Sequence, residues 1–397
     1  MEQLYQAHIA QLNRLKTSFR RNFIDEIPWN ERLVAIKGAR GVGKTTLIQQ
    51  YIKETYGNST EALYISMDTI SLKGHSIIEV ADHHVAYGGK HLFVDEVHKY
   101  PDWSQELKNI YDQYPDLKVT VTSSSILQLY KANHDLSRRM VAFDMHGLSL
   151  REYINIETEK SINAITLDNL LANHIDIAAE ISSQVNILSH MKNYLQYGYY
   201  PFYLEGKATY VQKLYNTINL ILDVDLPHAL GINVHNIYKI RKLLSNLAKE
   251  VPFQPNISKI AGSLELTRST LNQYIHYLDT ASLLNILLAE GKSYSLISKP
   301  EKIYLHNTNL SFAISDNNAN LGNIRETFFL NQCSVKHIVQ SSKKGDFLVD
   351  EKLTFEIGGK SKNNKQIWDQ ENSYLAVDEI LIGVKNKIPI WLFGFLY

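Results

Sequence analysis

One short motif constrains the fold of this chain more than any other feature. Residues 38–45 read GARGVGKT, and this spacing of glycines, Lys and Thr is typical of a loop that binds phosphate. The glycines let the backbone curl so that successive amide N–H groups point at phosphate oxygens. An apolar run, 33–36, precedes the motif, and residues 46–53 follow it with helical spacing. We therefore expect a strand, a phosphate-binding loop and a helix whose N-terminus faces the anion.

The motif predicts a site for ATP and Mg²⁺ rather than a glycine-rich turn with an incidental lysine. Lys44 would reach the β- and γ-phosphates, and the Thr45 hydroxyl would ligate Mg²⁺. The residues predicted to contact the nucleotide here are Gly38, Ala39, Arg40, Gly41, Val42, Gly43, Lys44, Thr45 and Thr46.

A second motif lies about 50 residues further on. Residues 91–96 read HLFVDE, an apolar strand that ends in two carboxylates. Asp95 is placed to hold the Mg²⁺ shell, and Glu96 is placed to polarise an attacking water. A strand followed by a solvated acidic turn is the alternative, which the strand–helix alternation between the two motifs disfavours.

Two further candidates follow. Ser124 comes just after the predicted strand 117–122, where a hydroxyl would lie beside the γ-phosphate, although a helix N-cap is also possible. Arg139 precedes the predicted strand 140–145. It could reach the γ-phosphate of a neighbouring subunit, or it could form a surface salt bridge.

Composition limits the classes of protein. A chain of 397 residues predicts two or three domains, and 41 basic and 41 acidic residues leave no net charge to attract nucleic acid. The single cysteine, Cys333, excludes an intrachain disulfide. The N-terminus does not resemble a signal peptide, and no apolar run approaches the roughly 20 residues that span a bilayer. We expect a cytoplasmic protein without a membrane partner.

The pattern of predicted elements divides the chain into four parts. Residues 1–150 alternate strands and helices and predict a parallel α/β sheet, with a lead-in helix over residues 1–30. Residues 151–235 predict a helical lid or linker, and residues 236–298 a winged-helix domain. Residues 299–397 predict a small α/β domain.

The winged-helix prediction rests on a helix-turn-helix pattern followed by a β-prone run. Its third helix would bury Leu271, Ile275 and Leu278 and would leave Arg268 outward. This face could contact DNA or a protein partner. With so few positive charges, phosphate neutralisation would be weak, which favours the protein partner.

Three carboxylates in the C-terminal part could converge on one Mg²⁺. Glu326 lies on a predicted helix, and Asp346 and Glu356 lie on consecutive strands of a predicted hairpin. A lysine two residues past the last carboxylate would help to activate water in a nuclease site, but this position is Gly358, and the nearest lysine in sequence is Lys360. The acids could instead pair with neighbouring lysines, namely Lys343, Lys344 and Lys352.

Several of these stretches resemble a known family. Residues 38–47 (GARGVGKTTL), 93–103 (FVDEVHKYPDW) and 122–125 (TSSS) resemble prokaryotic AAA+-type ATPases that carry a winged helix and a C-terminal restriction-nuclease-like domain of unknown function. More loosely, residues 197–201 and 302–306 resemble a Gly-Gly-aromatic-Pro turn and a Lys-Ile-Tyr-aromatic-Asp strand of that family. The order of the parts is similar over nearly the whole chain.

The resemblance implies that Lys44, Thr45, Asp95 and Glu96 are nucleotide-site residues. It also implies that Arg139 is an arginine finger, which requires a homo-oligomer. Three hypotheses follow: an Mg²⁺-dependent ATPase that drives a conformational or assembly switch, a DNA-interacting effector with an inactive nuclease-like tail, and a scaffold that binds ATP without hydrolysing it.

Overall fold

The computed structural model of this protein describes residues 2–15, 19–68, 75–124, 136–227, 234–249, 256–292, 300–314, 320–362 and 371–397. The chain forms two compact units, Met1–Gly147 and Leu148–Tyr397.

The first unit alternates strands and helices. Its strands are β1 (Leu33–Lys37), β2 (Ala62–Ser66), β3 (His91–Asp95), β4 (Lys118–Ser123) and β5 (Val141–Asp144). Its helices are α1 (Glu2–Arg14), α2 (Phe23–Glu26), α3 (Lys44–Thr55), α4 (Ile77–Ala86) and α5 (Trp103–Gln113).

The five strands form one sheet in the order β2-β3-β4-β1-β5, and every neighbouring pair is parallel. β1 to β4 are buried over nearly their whole length, as expected for a parallel sheet covered on both faces. The predicted parallel α/β sheet is confirmed. Because β1, β4 and β3 are neighbours, their carboxyl ends meet at one edge of the sheet, where ligands of such folds collect.

The first 30 residues differ from the single lead-in helix that their spacing predicts. α1 ends at Arg14, and α2 is a separate short helix. Two backbone carbonyls after α1 accept hydrogen bonds from α3: the Gln50 side chain donates to the Phe19 carbonyl, and the Lys53 amine donates to the Leu15 carbonyl.

The second unit begins with helices and ends in a sheet. Its helices are α6 (Leu150–Thr158), α7 (Leu167–Gln184), α8 (Ile187–Tyr197), α9 (Tyr210–Leu220), α10 (Val234–Lys249), α11 (Ile257–Ser263), α12 (Arg268–Thr280), α13 (Thr308–Ile314) and α14 (Leu321–Cys333). Its strands are β6 (Leu284–Leu287), β7 (Lys302–Leu305), β8 (Val339–Ser341), β9 (Phe347–Val349), β10 (Leu353–Gly358), β11 (Ser373–Val377) and β12 (Lys387–Pro389).

Two sheets organise this unit. The larger sheet has the order β12-β11-β10-β9-β8, with parallel pairs at the β12 side and antiparallel pairs at the β8 side. β9 and β10 form the hairpin that the sequence predicted. The smaller sheet is the antiparallel pair β6–β7, which follows α10, α11 and α12. The sequence predicted a domain boundary after residue 298, which would separate β6 from β7. The two strands pair across that boundary, and the apolar residues of β7 are buried with those of β6.

Within the described ranges, none of the helices combines the length and the apolar character that a membrane span needs.

Candidate functional site

The phosphate loop joins β1 to α3 and depends on its glycines. Gly41 and Gly43 have φ angles of 88° and 100°, which are left-handed values that side chains disfavour. A Cβ atom at Gly38 would lie 2.3 Å from the Met145 carbonyl oxygen, so no side chain fits there. α3 begins at Lys44, and its N-terminal amides therefore adjoin the loop.

Lys44 is buried, and its amine is held by the loop itself. Nζ donates to the carbonyl oxygens of Gly38 at 2.9 Å and of Ala39 at 3.1 Å. The positive charge of this buried amine also lowers the pKa of Glu96.

Thr45 and Asp95 meet across the two motifs. The Thr45 hydroxyl donates to Asp95 Oδ2 at 2.7 Å, and the Tyr64 hydroxyl donates to the same oxygen at 2.8 Å. The Thr122 hydroxyl donates to Oδ1. Burial, with a smaller contribution from the neighbouring Glu96 charge, raises the pKa of Asp95, and the three hydroxyls oppose this rise. Asp95 is thus a buried carboxylate surrounded by neutral donors.

Glu96 has a different environment. Its φ of 52° is left-handed, and its backbone N–H donates to Thr122 Oγ1 at 3.0 Å. The Ser124 hydroxyl donates to Glu96 Oε2 at 2.8 Å, and His98 Nδ1 lies 3.3 Å from that oxygen. Burial alone would raise the pKa of Glu96, but the charges of Lys44 and His98 and the bond from Ser124 together hold it below its ordinary value.

The other predicted residues take various positions. Arg40 is close enough to Glu96 to contribute to the lowered pKa of that carboxylate. Arg139 pairs with Asp112 of α5 at 3.0 Å, which is the salt bridge that the sequence left open. Its action on a neighbouring subunit stays a prediction. The helix that Ser124 could cap would follow this residue, at positions outside the described ranges.

Three residues near the site were not predicted as part of it: Tyr64, His98 and Thr122. Thr122 could have been found from the sheet register, because Val94 pairs with Val121 and the next positions are Asp95 and Thr122. The buried Arg21 donates to the carbonyls of Val42 and Gly147. The sequence left open whether Arg21 contacts the nucleotide or lies beside a helix C-terminus, and it favoured the second.

The three carboxylates of the C-terminal part lie near one another, but each has its own partner. The Tyr304 hydroxyl donates to Glu326 Oε2 at 2.8 Å, and the Ile357 N–H donates to Asp346 Oδ2 at 2.7 Å. Burial, followed by the nearby charge of Asp346, raises the pKa of Glu326 to about 7.

Lysines supply the counter-charges of this cluster. Lys302 Nζ is 4.0 Å from Asp346 Oδ1, and Lys362 Nζ is 2.6 Å from Glu356 Oε1. These partners correct the sequence expectation, which named Lys343, Lys344 and Lys352.

Of the two arrangements that the sequence leaves open for this cluster, the structure shows ion pairs with lysines. Among the described residues, no three His, Cys, Asp or Glu side chains are arranged to hold a metal ion. The physical reason is that ammonium groups take the place of a cation. The lysine beside Gly358 is Lys362 rather than Lys360. A Cβ atom at Gly358 would lie 2.3 Å from Lys362 Cγ, so the Lys362 side chain lies over Gly358, the position where the sequence analysis looked for a lysine.

The predicted winged helix has the expected core. Leu271, Ile275 and Leu278 of α12 are buried, and Thr267 caps the helix by accepting from the Thr270 N–H at 3.1 Å. Arg268 is exposed. These burial predictions are confirmed, whereas the binding partner of the face stays a prediction.

The first unit has the parallel α/β architecture and the phosphate loop of P-loop ATPases, and a helical region and a small mixed sheet follow it. Consistent with this class, residues 30–154 match a family model described as AAA domain. Residues 188–321 match a model described as Domain of unknown function (DUF8612). Over 390 residues the chain is 26% identical to the uncharacterized protein MJ1637 of Methanocaldococcus jannaschii, and the match covers 90% of this chain and 82% of that protein.

Two solved structures show a distant likeness. The Walker-type ATPase PABY2304 of Pyrococcus abyssi matches with a TM-score of 0.42 and 11% identity, over 77% of this chain and 99% of that chain. The Aeropyrum pernix Orc1 protein in complex with DNA matches with a TM-score of 0.32 and 11% identity, over 79% of this chain and 92% of that chain.

Proposed function

We propose that this protein binds ATP with Mg²⁺ and hydrolyses it to ADP and phosphate. One observation carries the proposal: the Thr45 hydroxyl contacts Asp95 at 2.7 Å, although 50 positions separate the two residues. The phosphate loop and the acidic end of β3 thus form one cluster, and phosphoryl transfer depends on positioning and charge of this kind.

The loop amides and Lys44 would hold the phosphates. The Lys44 amine now contacts two neutral carbonyls, at 2.9 and 3.1 Å. Bonds from an ammonium to phosphate oxygens are charge-assisted and stronger. ATP would therefore draw Lys44 from the loop carbonyls toward the β- and γ-phosphates.

Thr45 and Asp95 have the chemistry that Mg²⁺ requires. Mg²⁺ takes oxygen ligands, and nucleotide sites usually supply one or two protein groups with the phosphates and waters completing the set. Burial raises the pKa of Asp95, so its ionised form would gain from a nearby cation. When bound, the ion would neutralise charge on the phosphates.

Glu96 would act as the base that orients the attacking water. Its pKa lies below its ordinary value, so it is ionised at neutral pH and can only accept hydrogen bonds. Ser124, which donates to Glu96 at 2.8 Å, would connect the end of β4 to this base and so serve the predicted sensing role.

Phosphate release with and without Mg²⁺ tests the proposal. We expect Lys44→Ala to lose ATP hydrolysis, because no other lysine of the loop can replace its charge. Lys53→Ala is the matched control, since it removes a lysine from the same helix at a position that contacts the Leu15 carbonyl. Equal phosphate release from wild type and Lys44→Ala would refute the proposal.

The output of hydrolysis is proposed to be a conformational or assembly switch of a homo-oligomer, in which Arg139 contacts a neighbour's nucleotide. The ion pair with Asp112 would have to open for this role. Arg139→Ala should then lower ATP hydrolysis, whereas Asp112→Ala, which frees the arginine, should not. Particle mass measured with and without ATP reports the assembly itself.

A second candidate is a DNA-interacting effector, favoured by the order α11, α12, β6 and β7, which is a helix-turn-helix followed by a hairpin. DNA binding that weakens with rising salt would support it. Absence of binding at low salt would leave a protein partner for this face. A third candidate, a scaffold without turnover, would be selected by tight ATP binding without phosphate release.

A further inference from the structure

We infer that His98 is a positioning residue for Glu96. Together with Ser124, it anchors one oxygen of the Glu96 carboxylate and leaves the other oxygen for the attacking water. This inference rests on the proposed ATP hydrolysis and adds a residue to its machinery.

The backbone brings His98 back toward the residue that precedes it. Glu96 has left-handed φ and ψ angles of 52° and 41°, and a 3₁₀ turn, Val97–Lys99, follows directly. The Lys99 N–H donates to the Glu96 carbonyl at 3.0 Å, which closes this turn. The sharp reversal at the end of β3 places the imidazole of His98 beside the carboxylate instead of further along the chain.

The contacts of His98 join the ends of two neighbouring strands. Its side chain is 4% exposed, and its Nδ1 atom lies 3.3 Å from Glu96 Oε2. The same nitrogen lies 3.1 Å from the hydroxyl oxygen of Ser123, the last residue of β4. A buried imidazole in this position cannot move without displacing side chains from both strand ends.

The acceptors around Nδ1 determine which nitrogen carries hydrogen. A carboxylate only accepts hydrogen bonds, so the approach to Glu96 is favourable only when Nδ1 is protonated. The Ser123 hydroxyl can accept from the same N–H, because a hydroxyl is both donor and acceptor. Nδ1 therefore carries a hydrogen whether the imidazole is neutral or protonated, and this N–H supports the ionised form of Glu96.

Both anchors of the Glu96 side chain act on one atom. The Ser124 hydroxyl donates to Oε2 at 2.8 Å, and His98 approaches the same Oε2. Among the described residues, no hydrogen bond reaches Oε1. Two anchors on Oε2 restrict rotation of the carboxylate, and Oε1 is then the atom that would accept a hydrogen bond from water.

Loss of one anchor should affect the chemical step rather than the binding of ATP. His98 contacts the base and Ser123, so its removal would let the carboxylate rotate without changing the phosphate loop. Misplacement of a catalytic group by about 1 Å can cost roughly 100-fold in rate. We expect His98→Ala to lower kcat by roughly 10- to 100-fold and to leave KM for ATP nearly unchanged.

The experiment compares kcat and KM of wild type, His98→Ala and His98→Asn. The Asn amide can donate from nearly the position of Nδ1, so we expect it to recover most of the lost kcat. Lys99→Ala is the matched control, because Lys99 lies in the same turn but pairs with Asp68. An unchanged kcat in His98→Ala, a change in KM alone, or an Asn variant no better than Ala would overturn the inference.

A second measurement does not depend on turnover. In ¹⁵N-histidine NMR of the metal-free protein, with His98 assigned by its loss in His98→Asn, we expect the Nδ1–H form, and we expect its signal to shift in Glu96→Gln. The Nε2–H tautomer, or no shift in Glu96→Gln, would overturn the inference. Should wild type release no phosphate, the proposed function fails, and the NMR result still decides whether His98 holds Glu96.

Discussion

The two buried acidic clusters of this protein differ in the groups that satisfy them. In the first unit, the oxygens of Asp95 accept from the hydroxyls of Thr45, Tyr64 and Thr122. In the second unit, Glu356 and Asp346 face the ammonium groups of Lys362 and Lys302. The partners of Asp95 are therefore neutral hydroxyls, whereas ammonium groups offset the charges of Glu356 and Asp346.

This difference bears on cation binding. A hydroxyl donor stabilises a carboxylate without removing its net charge, so the site still attracts Mg²⁺. A lysine neutralises the carboxylate and occupies the space beside it, and a metal would have to displace it at the cost of exposing or unpairing a buried charge. The first cluster is therefore suited to bind Mg²⁺ with a nucleotide, and the second is suited to stabilise the fold.

The largest expected effect is on hydrolysis. Glu96→Gln keeps the shape of the side chain but removes the base, and we expect kcat to fall by about 10²- to 10⁴-fold while ATP binding persists. Steady-state phosphate release and nucleotide titration measure the two quantities. Glu61→Gln, which alters an exposed pair with Lys90, is the control. A wild-type kcat in the Glu96→Gln protein would show that Glu96 is not the base.

The next effect concerns Mg²⁺ itself. Loss of a group that only supports a metal ligand costs roughly 10- to 100-fold in metal affinity. Asp95 is proposed to hold Mg²⁺ itself, so we expect Asp95→Asn to reach the upper end of this range and to weaken Mg²⁺ binding in the presence of ATP by roughly 100-fold. Glu356→Gln should leave this affinity unchanged. Calorimetric titration measures both affinities. A changed Mg²⁺ affinity in the Glu356→Gln protein would contradict the proposed difference between the two clusters.

A third effect is the pH dependence of stability in the second unit. The pKa of Glu326 is raised to about 7 from an ordinary value of 4.5. The folded protein therefore keeps a proton that the unfolded chain releases, so the contribution of Glu326 to stability is greatest below pH 4.5 and is lost as pH rises through 7. Glu326→Gln stays neutral and still accepts from Tyr304. We expect it to stabilise the protein by about 1–3 kcal/mol at pH 8 and by little at pH 4.5.

Urea unfolding of both proteins at these two pH values measures that difference. Glu371→Gln, which changes an exposed carboxylate, serves as the control. A variant that is stabilised equally at both pH values would show that titration of Glu326 is not the cause.

The smallest expected effect comes from one ion pair. Lys362→Gln leaves Glu356 without its ammonium partner, and we expect a loss of about 1 kcal/mol at pH 8, because the Lys362 side chain is partly exposed and its attraction is screened. Burial raises the pKa of Glu356, so the loss should shrink as the pH falls and this carboxylate takes up a proton. Lys360→Gln is the control in the same turn, and an equal loss from both variants would assign the effect to the turn instead of the pair.

Several features were predictable because they depend on neighbours in the chain. The phosphate loop, the strand that ends at Asp95 and the core face of α12 follow from local spacing. The buried face of α7 does not follow from spacing alone: Leu171 and Ile175 recur at helical spacing, but Ile175 is 45% exposed and His174 is buried. The helix is interrupted at Asn173, where φ is −128°, and this break shifts the buried stripe.

The sequence by itself determined the parallel α/β sheet and the residues of the phosphate loop, because glycine conformations and apolar periods act over a few neighbouring residues. Only the tertiary structure decided which charges meet. Lys362 covers Gly358, β7 joins β6, and His98 turns back to Glu96 through contacts that no spacing in the chain specifies. Electrostatic partners depend on distance in space, and the turns that set this distance are formed only when the packed elements are in place.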